Sequence, residues 1–196
     1  MAKLLYQGHG SLRLVTQEGK TIYIDPYTGD GYDKPADLIL VTHQHPDHNR
    51  IDLPLHAQEC IIIQNMDALK DGVYQQFDVA GVHIEAVEAY NKSHPKDECV
   101  GYLVTVDGKT IYFAGDTAKT EQMATFAERN IDYAFLPTDG IFTMNIPAAI
   151  VCAELIKAKH TFPIHMAPGR RFDKHKAKKF VTEGAMIIEP GTEVEL

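Results

Sequence analysis

Asp37-Leu38-Ile39-Leu40-Val41-Thr42-His43-Gln44-His45-Pro46-Asp47-His48 is the stretch of sequence that decides the fold. Its first five residues are mostly apolar and predict a short buried strand, which Pro35 and Pro46 bound on either side. The rest of the stretch forms the loop that leaves this strand, and it carries three imidazoles and one carboxylate. Neutral imidazole nitrogens and carboxylate oxygens suit zinc and other borderline divalent ions. The stretch therefore predicts a metal site at the edge of a sheet.

The spacing of these side chains divides them into two pairs. His43 and His45 are two residues apart in an extended segment, so their side chains point to the same side and can bind one ion. Asp47 and His48 come after a turn and do not easily reach that ion in the same geometry. They are better placed to begin a second metal site beside the first.

The segment from His43 to His48 resembles the His-x-His-x-Asp-His signature of the metallo-β-lactamase superfamily. Gly115-Asp116-Thr117 resembles its Gly-Asp-Thr, in which the aspartate commonly bridges two metals, and Pro163-Ile164-His165 resembles the strand end that carries its last histidine ligand. His9 resembles a histidine near the site in the branch that includes L-ascorbate-6-phosphate lactonases, and we assign it no coordination role.

This resemblance implies a metal-dependent hydrolase with two divalent ions, zinc in the first place, with iron or manganese as alternatives. Asp116 would be a ligand of both ions. Asp47 would also act in catalysis, by orienting water or by passing a proton to the leaving group. The implied ligands are His43, His45, Asp47, His48, His94, Asp116 and His165.

The third ligand of the first site departs from the usual pattern. Many superfamily members place a histidine directly after the strand that precedes the second hairpin, where this chain has Ala89-Tyr90-Asn91. Either His94 reaches back to the first metal, or Asn91 serves as a weak oxygen ligand. We favour His94, because imidazole binds zinc far better than a carboxamide does.

A basic run follows the last of these histidines, with six of the 19 basic residues between positions 170 and 179. It is either the solvated face of a helix or, through Arg170 and Arg171, an anion-binding rim beside the site. These two arginines and Asn91 are the candidates for substrate contact. The expected reaction is cleavage of an ester, lactone or phosphoester bond in a small anionic molecule.

Composition narrows the classes of function. A formal net charge of −8 disfavours nucleic acid as a partner, although a nuclease or RNA-processing member of the superfamily, or a non-catalytic metal-binding protein, stays an alternative. Three scattered cysteines indicate reduced thiols in a cytoplasmic protein. No apolar run is long enough to predict a membrane span, and the oligomeric state cannot be predicted.

The remaining pattern predicts an α+β fold, a four-layer αββα sandwich formed by a single domain over 1–196. Gly19-Lys20-Thr21-Ile22-Tyr23 returns as Gly108-Lys109-Thr110-Ile111-Tyr112, which fits two similar halves. Helices are expected over 65–70, over 120–128, after Pro147, and from the cap Asp173 to about Val181. The segment 185–188 is expected to be the last secondary-structure element of the chain.

Overall fold

Two six-stranded sheets form the core of the computed structural model, which describes all residues, 1–196. It contains three α-helices, α1 (Asn65–Ala68), α2 (Ile146–Ile156) and α3 (Lys174–Ala177), and a 3₁₀ helix, Gln122–Glu128. In chain order the strands are β1 (Lys3–Gly8), β2 (Ser11–Val15), β3 (Thr21–Ile24), β4 (Ala36–Leu40), β5 (His56–Ile63), β6 (Leu69–Lys70), β7 (Val73–Tyr74), β8 (Gln76–Val79), β9 (Val82–Glu88), β10 (Val100–Val106), β11 (Lys109–Phe113), β12 (Tyr133–Pro137), β13 (His160–Ile164) and β14 (Glu193–Glu195).

The first sheet has the order β14-β1-β2-β3-β4-β5, and the second has the order β13-β12-β11-β10-β9-β8. Within each sheet three consecutive strands are parallel, β3, β4 and β5 in one and β11, β12 and β13 in the other. A cluster of 25 buried residues lies between the sheets, with Leu38 and Leu40 contributed by β4. The expected α+β sandwich is therefore confirmed.

The two outer layers differ. A cluster of 16 buried residues on the second sheet packs against α2 and the 3₁₀ helix, through side chains such as Ile146 and Phe126. On the first sheet only four residues form a buried outer cluster, and the loop residues Tyr32 and Ile51 pack against it. The connection from β4 to β5 carries the histidine motif and forms no helix, so loops cover this face of the first sheet.

The helix expected over 120–128 is a 3₁₀ helix rather than an α-helix. Its two buried residues, Met123 and Phe126, are three positions apart, which matches the threefold repeat of a 3₁₀ helix. The helix expected over 65–70 is a single turn, because Leu69 and Lys70 leave it to pair with Val73 and Tyr74 in a small hairpin.

The C-terminal predictions were partly wrong. Asp173 does cap α3, accepting from the backbone N–H of Lys176 at 3.0 Å, but the helix ends at Ala177, its one buried residue. A helix without an apolar stripe and with several like charges gains little from extension. In the segment 185–188 only Ala185 forms a bridge, to Thr161, and the closing strand is instead β14, which pairs with β1.

No helix in the structure is both long and apolar enough to cross a lipid bilayer.

The feature that matters for function is the edge of the sandwich where β4, β9, β11 and β13 end. Each of these strands is followed directly by a segment that carries histidine or aspartate, at 43–48, 91–94, 116 and 165. The fold therefore gathers residues that are far apart in the sequence at one place.

Candidate metal centre

The first group of side chains consists of His43, His45 and His94, whose ligand atoms all lie within 4.8 Å of one another. His94 Nε2 is 3.2 Å from His45 Nδ1, and the ring of His43 stands nearly perpendicular to that of His94. His43 and His94 are buried, whereas His45 is exposed on one side. Three nitrogens thus face one small volume that opens to solvent at His45.

Asn91 supports this group from behind rather than entering it. Its side-chain oxygen accepts from His94 Nδ1 at 3.0 Å and from the backbone N–H of Ser93 at 2.8 Å, which occupies its lone pairs. Its amide nitrogen donates to the backbone oxygen of Asp116 at 3.3 Å. Because His94 Nδ1 carries the proton, Nε2 is left as the atom that faces the histidine group.

Asn91→Ala is expected to lower the metal affinity of the first site about 10- to 100-fold, because His94 loses the partner that fixes its tautomer and ring orientation. Chelator competition titrations of the variant and of the unmodified protein measure this change. Gln76→Ala, at an exposed residue of β8, is the control and should bind metal as tightly as the unmodified protein. An unchanged affinity in Asn91→Ala would show that His94 needs no support from Asn91.

Asp116 lies at the centre of the site and is only 4% exposed. Its Oδ2 atom is 3.3 Å from Nε2 of His94, 3.3 Å from Nε2 of His165 and 3.5 Å from Nε2 of His48. The Nε2 atom of His43 is 4.0 Å away. One carboxylate oxygen is therefore shared between the first group and the histidines on its other side.

The second group consists of His9, Asp47, His48 and His165, again with all ligand atoms within 4.8 Å of one another. His9 Nε2 lies 3.1 Å from Asp47 Oδ2, and His9 Nδ1 lies 3.2 Å from the backbone oxygen of Arg170. Asp47 can therefore accept a hydrogen bond from His9, which holds the carboxylate in place.

Asp25, which sequence reasoning missed, organises the floor of the site. Its carboxylate accepts from the backbone N–H and the hydroxyl of Thr42, at 2.7 and 2.6 Å, and from His48 Nδ1 at 2.7 Å. Because the Thr42 hydroxyl donates to Asp25, it accepts from His43 Nδ1 at 3.0 Å. One buried carboxylate thus fixes the ring orientations of two histidines, so that Nδ1 of each is hydrogen-bonded and Nε2 of each faces the site.

Asp139 is the other supporting residue that the sequence did not indicate. One of its oxygens lies 3.5 Å from His165 Nδ1, while the other accepts from three successive backbone N–H groups, those of Ile141, Phe142 and Thr143. Asp25 and Asp139 share one signal that could have found them. Each is an aspartate within two residues of the end of a short apolar strand, and Asp116 is three residues from the end of its strand.

The electrostatics of the site follow from burial and from the two aspartates. Burial lowers the pKa of His43 to about 2 and that of His165 to about 4, which keeps both rings neutral. For His48 burial acts in the same direction, but the carboxylates of Asp116 and Asp25 outweigh it and raise its pKa well above the usual value. Burial alone would raise the pKa of Asp116, yet the charge of His48 holds it well below its usual range.

The fit of this site to metal ions can be judged from its unpaired atoms. Nε2 of His43, His48 and His165 and Oδ1 of Asp116 are all buried without a hydrogen-bond partner. Unpaired buried polar atoms are costly, and native proteins rarely leave several of them in one place. Imidazole nitrogens around a shared carboxylate are a suitable donor set for borderline divalent ions, so the residues fit two such ions.

The residues that are candidates for substrate contact line different cavities in the structure. A cavity of about 260 Å³ lies over the two groups and is lined by residues that include His45, Asp47, His94 and Phe142. Arg170 and Arg171 do not line it. Their side chains line a neighbouring cavity with Gln7 and Asp30, while their backbone oxygens hold His9. Asn91 lines a third cavity, which shares the lining residue Phe142 with the cavity over the two groups.

Comparisons with known proteins agree with this geometry. Residues 3–165 match the family model described as the beta-lactamase superfamily domain. A UPF0173 metal-dependent hydrolase of Geobacillus sp. is 34% identical over 228 residues, which cover 99% of this chain and 100% of the relative. A solved structure from Parabacteroides distasonis is 29% identical with a TM-score of 0.77, over 94% of this chain and 91% of the other. Igni18, a metallo hydrolase of Ignicoccus hospitalis, shares the fold at 24% identity and a TM-score of 0.72, over 98% and 97%.

Proposed function

Because this chain belongs to the beta-lactamase superfamily, we propose that it is a metal-dependent hydrolase with a dinuclear, zinc-binding site that cleaves an ester, lactone or phosphoester bond in a small molecule. The match over residues 3–165 and a relative named metal-dependent hydrolase support the reaction class. The cytoplasmic location expected from the cysteines belongs to the same proposal.

The observation that carries the proposal is the position of Asp116 Oδ2 within 4.0 Å of four histidine Nε2 atoms. Asp116 would serve both ions. His43, His45 and His94 would complete the coordination of one, and Asp47, His48 and His165 that of the other. When bound, such ions lower the pKa of water towards neutrality and stabilise negative charge that develops at a carbonyl or phosphoryl oxygen.

Asp47 presents a partly exposed carboxylate to the cavity. Burial alone would raise its pKa, but the hydrogen bond from His9 and the charge of His48 hold the pKa of Asp47 below its usual range. Its side chain is 36% exposed and lines the cavity. It can therefore accept a hydrogen bond from the attacking water and carry a proton towards the leaving group, while His9 keeps it in place.

A side-chain nucleophile is not needed for this reaction. Cys99 is buried, and burial raises the pKa of its thiol to about 12, which disfavours the reactive thiolate. Ser93 lines the cavity, but the hydrogen bond that it makes to Asn91 Oδ1 comes from its backbone N–H and not from its hydroxyl. Water is then the nucleophile that remains, as expected for direct hydrolysis.

The test is turnover of a panel of esters, lactones and phosphodiesters by protein loaded with zinc, before and after chelator treatment. We expect at least one substrate to be hydrolysed, with kcat lowered ~10²- to 10³-fold in Asp47→Asn because proton transfer and water orientation are lost. Asp78→Asn is the matched control, since Asp78 also accepts from a histidine, His83, but at an exposed hairpin. No metal-dependent turnover of any panel member would contradict the proposal.

A further inference from the structure

The cavity over the metal centre lies next to a second, larger cavity. Phe142 and Ser93 line both of them, so that they form the shared wall. The second cavity measures about 530 Å³, and Tyr90, Ala118 and Ile141 contribute to its lining. A ligand that leaves the metal centre in this direction passes over the ring of Phe142.

The apolar side chains at this wall are unusually exposed. Ile141 is 69% exposed and Phe142 is 49% exposed, although the segment lies between the buried strand β12 and the helix α2. Exposed apolar surface next to a pocket is typical of a place where a ligand binds. Burial of these side chains by an apolar group would remove them from water and would favour binding.

The turn that carries these two residues is held by hydrogen bonds. The carboxylate of Asp139 accepts from the backbone N–H groups of Ile141 and Phe142 at 2.7 and 2.9 Å, and the N–H of Asp139 donates to the hydroxyl of Thr143 at 3.1 Å. Lys176 Nζ donates to the backbone oxygen of Asp139. A turn with this many bonds presents Ile141 and Phe142 in a fixed position, and a preorganised surface loses little entropy when a ligand binds.

Asp139 also connects this turn to the metal centre. Its second oxygen faces His165 Nδ1 at 3.5 Å, so one carboxylate sets the position of the apolar wall relative to a metal-binding histidine. The arginine pair, which would favour an anionic substrate, lies at a different cavity. The lining of the larger cavity is apolar or neutral except for one charged side chain, that of Lys92, which is exposed.

We infer that Phe142 and Ile141 form a specificity subsite for an alkyl or aryl group attached to the scissile bond, so that the preferred substrates are hydrophobic acyl compounds. This inference rests on the proposed hydrolase function and adds the substrate class. The reacting carbonyl lies at the metal centre, and the apolar group extends along the shared wall towards Tyr90.

The experiment measures the affinity of zinc-loaded protein for straight-chain hydroxamates from acetohydroxamate to octanohydroxamate by calorimetry. The hydroxamate group binds metal equally well throughout the series, so chain length reports on the subsite. We expect affinity to rise with each methylene, up to about fourfold where the methylene is fully buried. Phe142→Ala should flatten this rise without weakening acetohydroxamate, Phe142→Leu should restore part of it, and Val181→Ala, at a residue 73% exposed elsewhere, should leave it unchanged.

The outcomes separate the two proposals. Tight acetohydroxamate binding with no gain along the series would overturn the subsite and leave the metal centre intact. Failure of acetohydroxamate to bind would contradict the metal centre, and the subsite is then decided by methyl NMR of Ile141. A shift of that signal on addition of octanohydroxamate would support the subsite, and no shift would overturn it. A dimer that dissociates in Phe142→Ala would also overturn it, since a second copy would then occupy the surface.

Discussion

Asp116→Asn is expected to lower kcat/KM for any hydrolysed substrate by ~10³-fold or more, the largest effect on activity of any conservative change in the chain. The Oδ2 atom of Asp116 lies within 4.0 Å of four histidine Nε2 atoms. An amide at this position provides a weaker, uncharged oxygen, so neither ion retains a shared anionic ligand. Steady-state kinetics of variant and unmodified protein, both saturated with zinc, measure the change.

The matched control is Asp132→Asn. Asp132 is also buried, 6% exposed, but it pairs with Lys159 and with the backbone N–H of Thr110, where β12 begins, at the opposite end of the parallel strands from the metal centre. Its replacement should affect stability more than turnover. Activity of Asp116→Asn within tenfold of the unmodified protein, with its zinc retained, would contradict the bridging role of Asp116.

Asp25→Ala is expected to cause the largest loss of stability, about 3–5 kcal/mol in the free energy of unfolding of the metal-free protein. The substitution removes the acceptor of the Thr42 backbone N–H, the Thr42 hydroxyl and His48 Nδ1 at once. Those donors are buried, so removal of the carboxylate leaves them without an acceptor. Urea unfolding at neutral pH measures the loss, and metal affinity should also fall about 10- to 100-fold because His48 and His43 lose their fixed ring orientations.

Asp52→Ala provides the comparison for Asp25→Ala. Asp52 forms a bidentate pair with Arg50 at the surface, where both side chains are exposed and solvent screens the interaction, so its loss should change stability little. If Asp25→Ala unfolds at the same urea concentration as Asp52→Ala, Asp25 does not organise the floor of the site.

The strand pattern and the main motif could be predicted from the sequence for a local reason. The run from Asp37 to Val41 is apolar, bounded by proline and followed at once by the histidines, so the strand and its loop are encoded within one segment. The same holds for β10 (Val100–Val106) and β11 (Lys109–Phe113), since the repeated stretch from Gly108 to Tyr112 contains part of the turn and most of the second strand. In both cases the alternation of side chains and the turn residues lie close together in the chain.

The supporting residues could not be predicted because their partners are distant in sequence. Asp25 contacts Thr42 and His48 across two parallel strands, and nothing near Asp25 in the sequence indicates those contacts. The roles of Asn91 and His94 depended on which atom of Asn91 faces His94, which only the turn between them determines. Arg170 follows the last histidine closely in sequence, yet the chain turns after Ile164 and the arginine side chain faces another cavity.

The length of the C-terminal helix also required tertiary information. A run of lysines with the cap Asp173 is compatible with a long helix, but a helix that buries one residue gains little from packing. Phe180 is instead buried against the outer face of the second sheet after the helix has ended. The local pattern therefore indicated the beginning of the helix correctly and its end incorrectly.

The most direct test of a dinuclear centre around Asp116 is the metal content per chain, measured by elemental mass spectrometry on protein purified without a metal-binding tag and then equilibrated with zinc. The arrangement of two ligand groups about one shared carboxylate predicts close to two equivalents of metal per chain. One equivalent, or none after reconstitution, would contradict it.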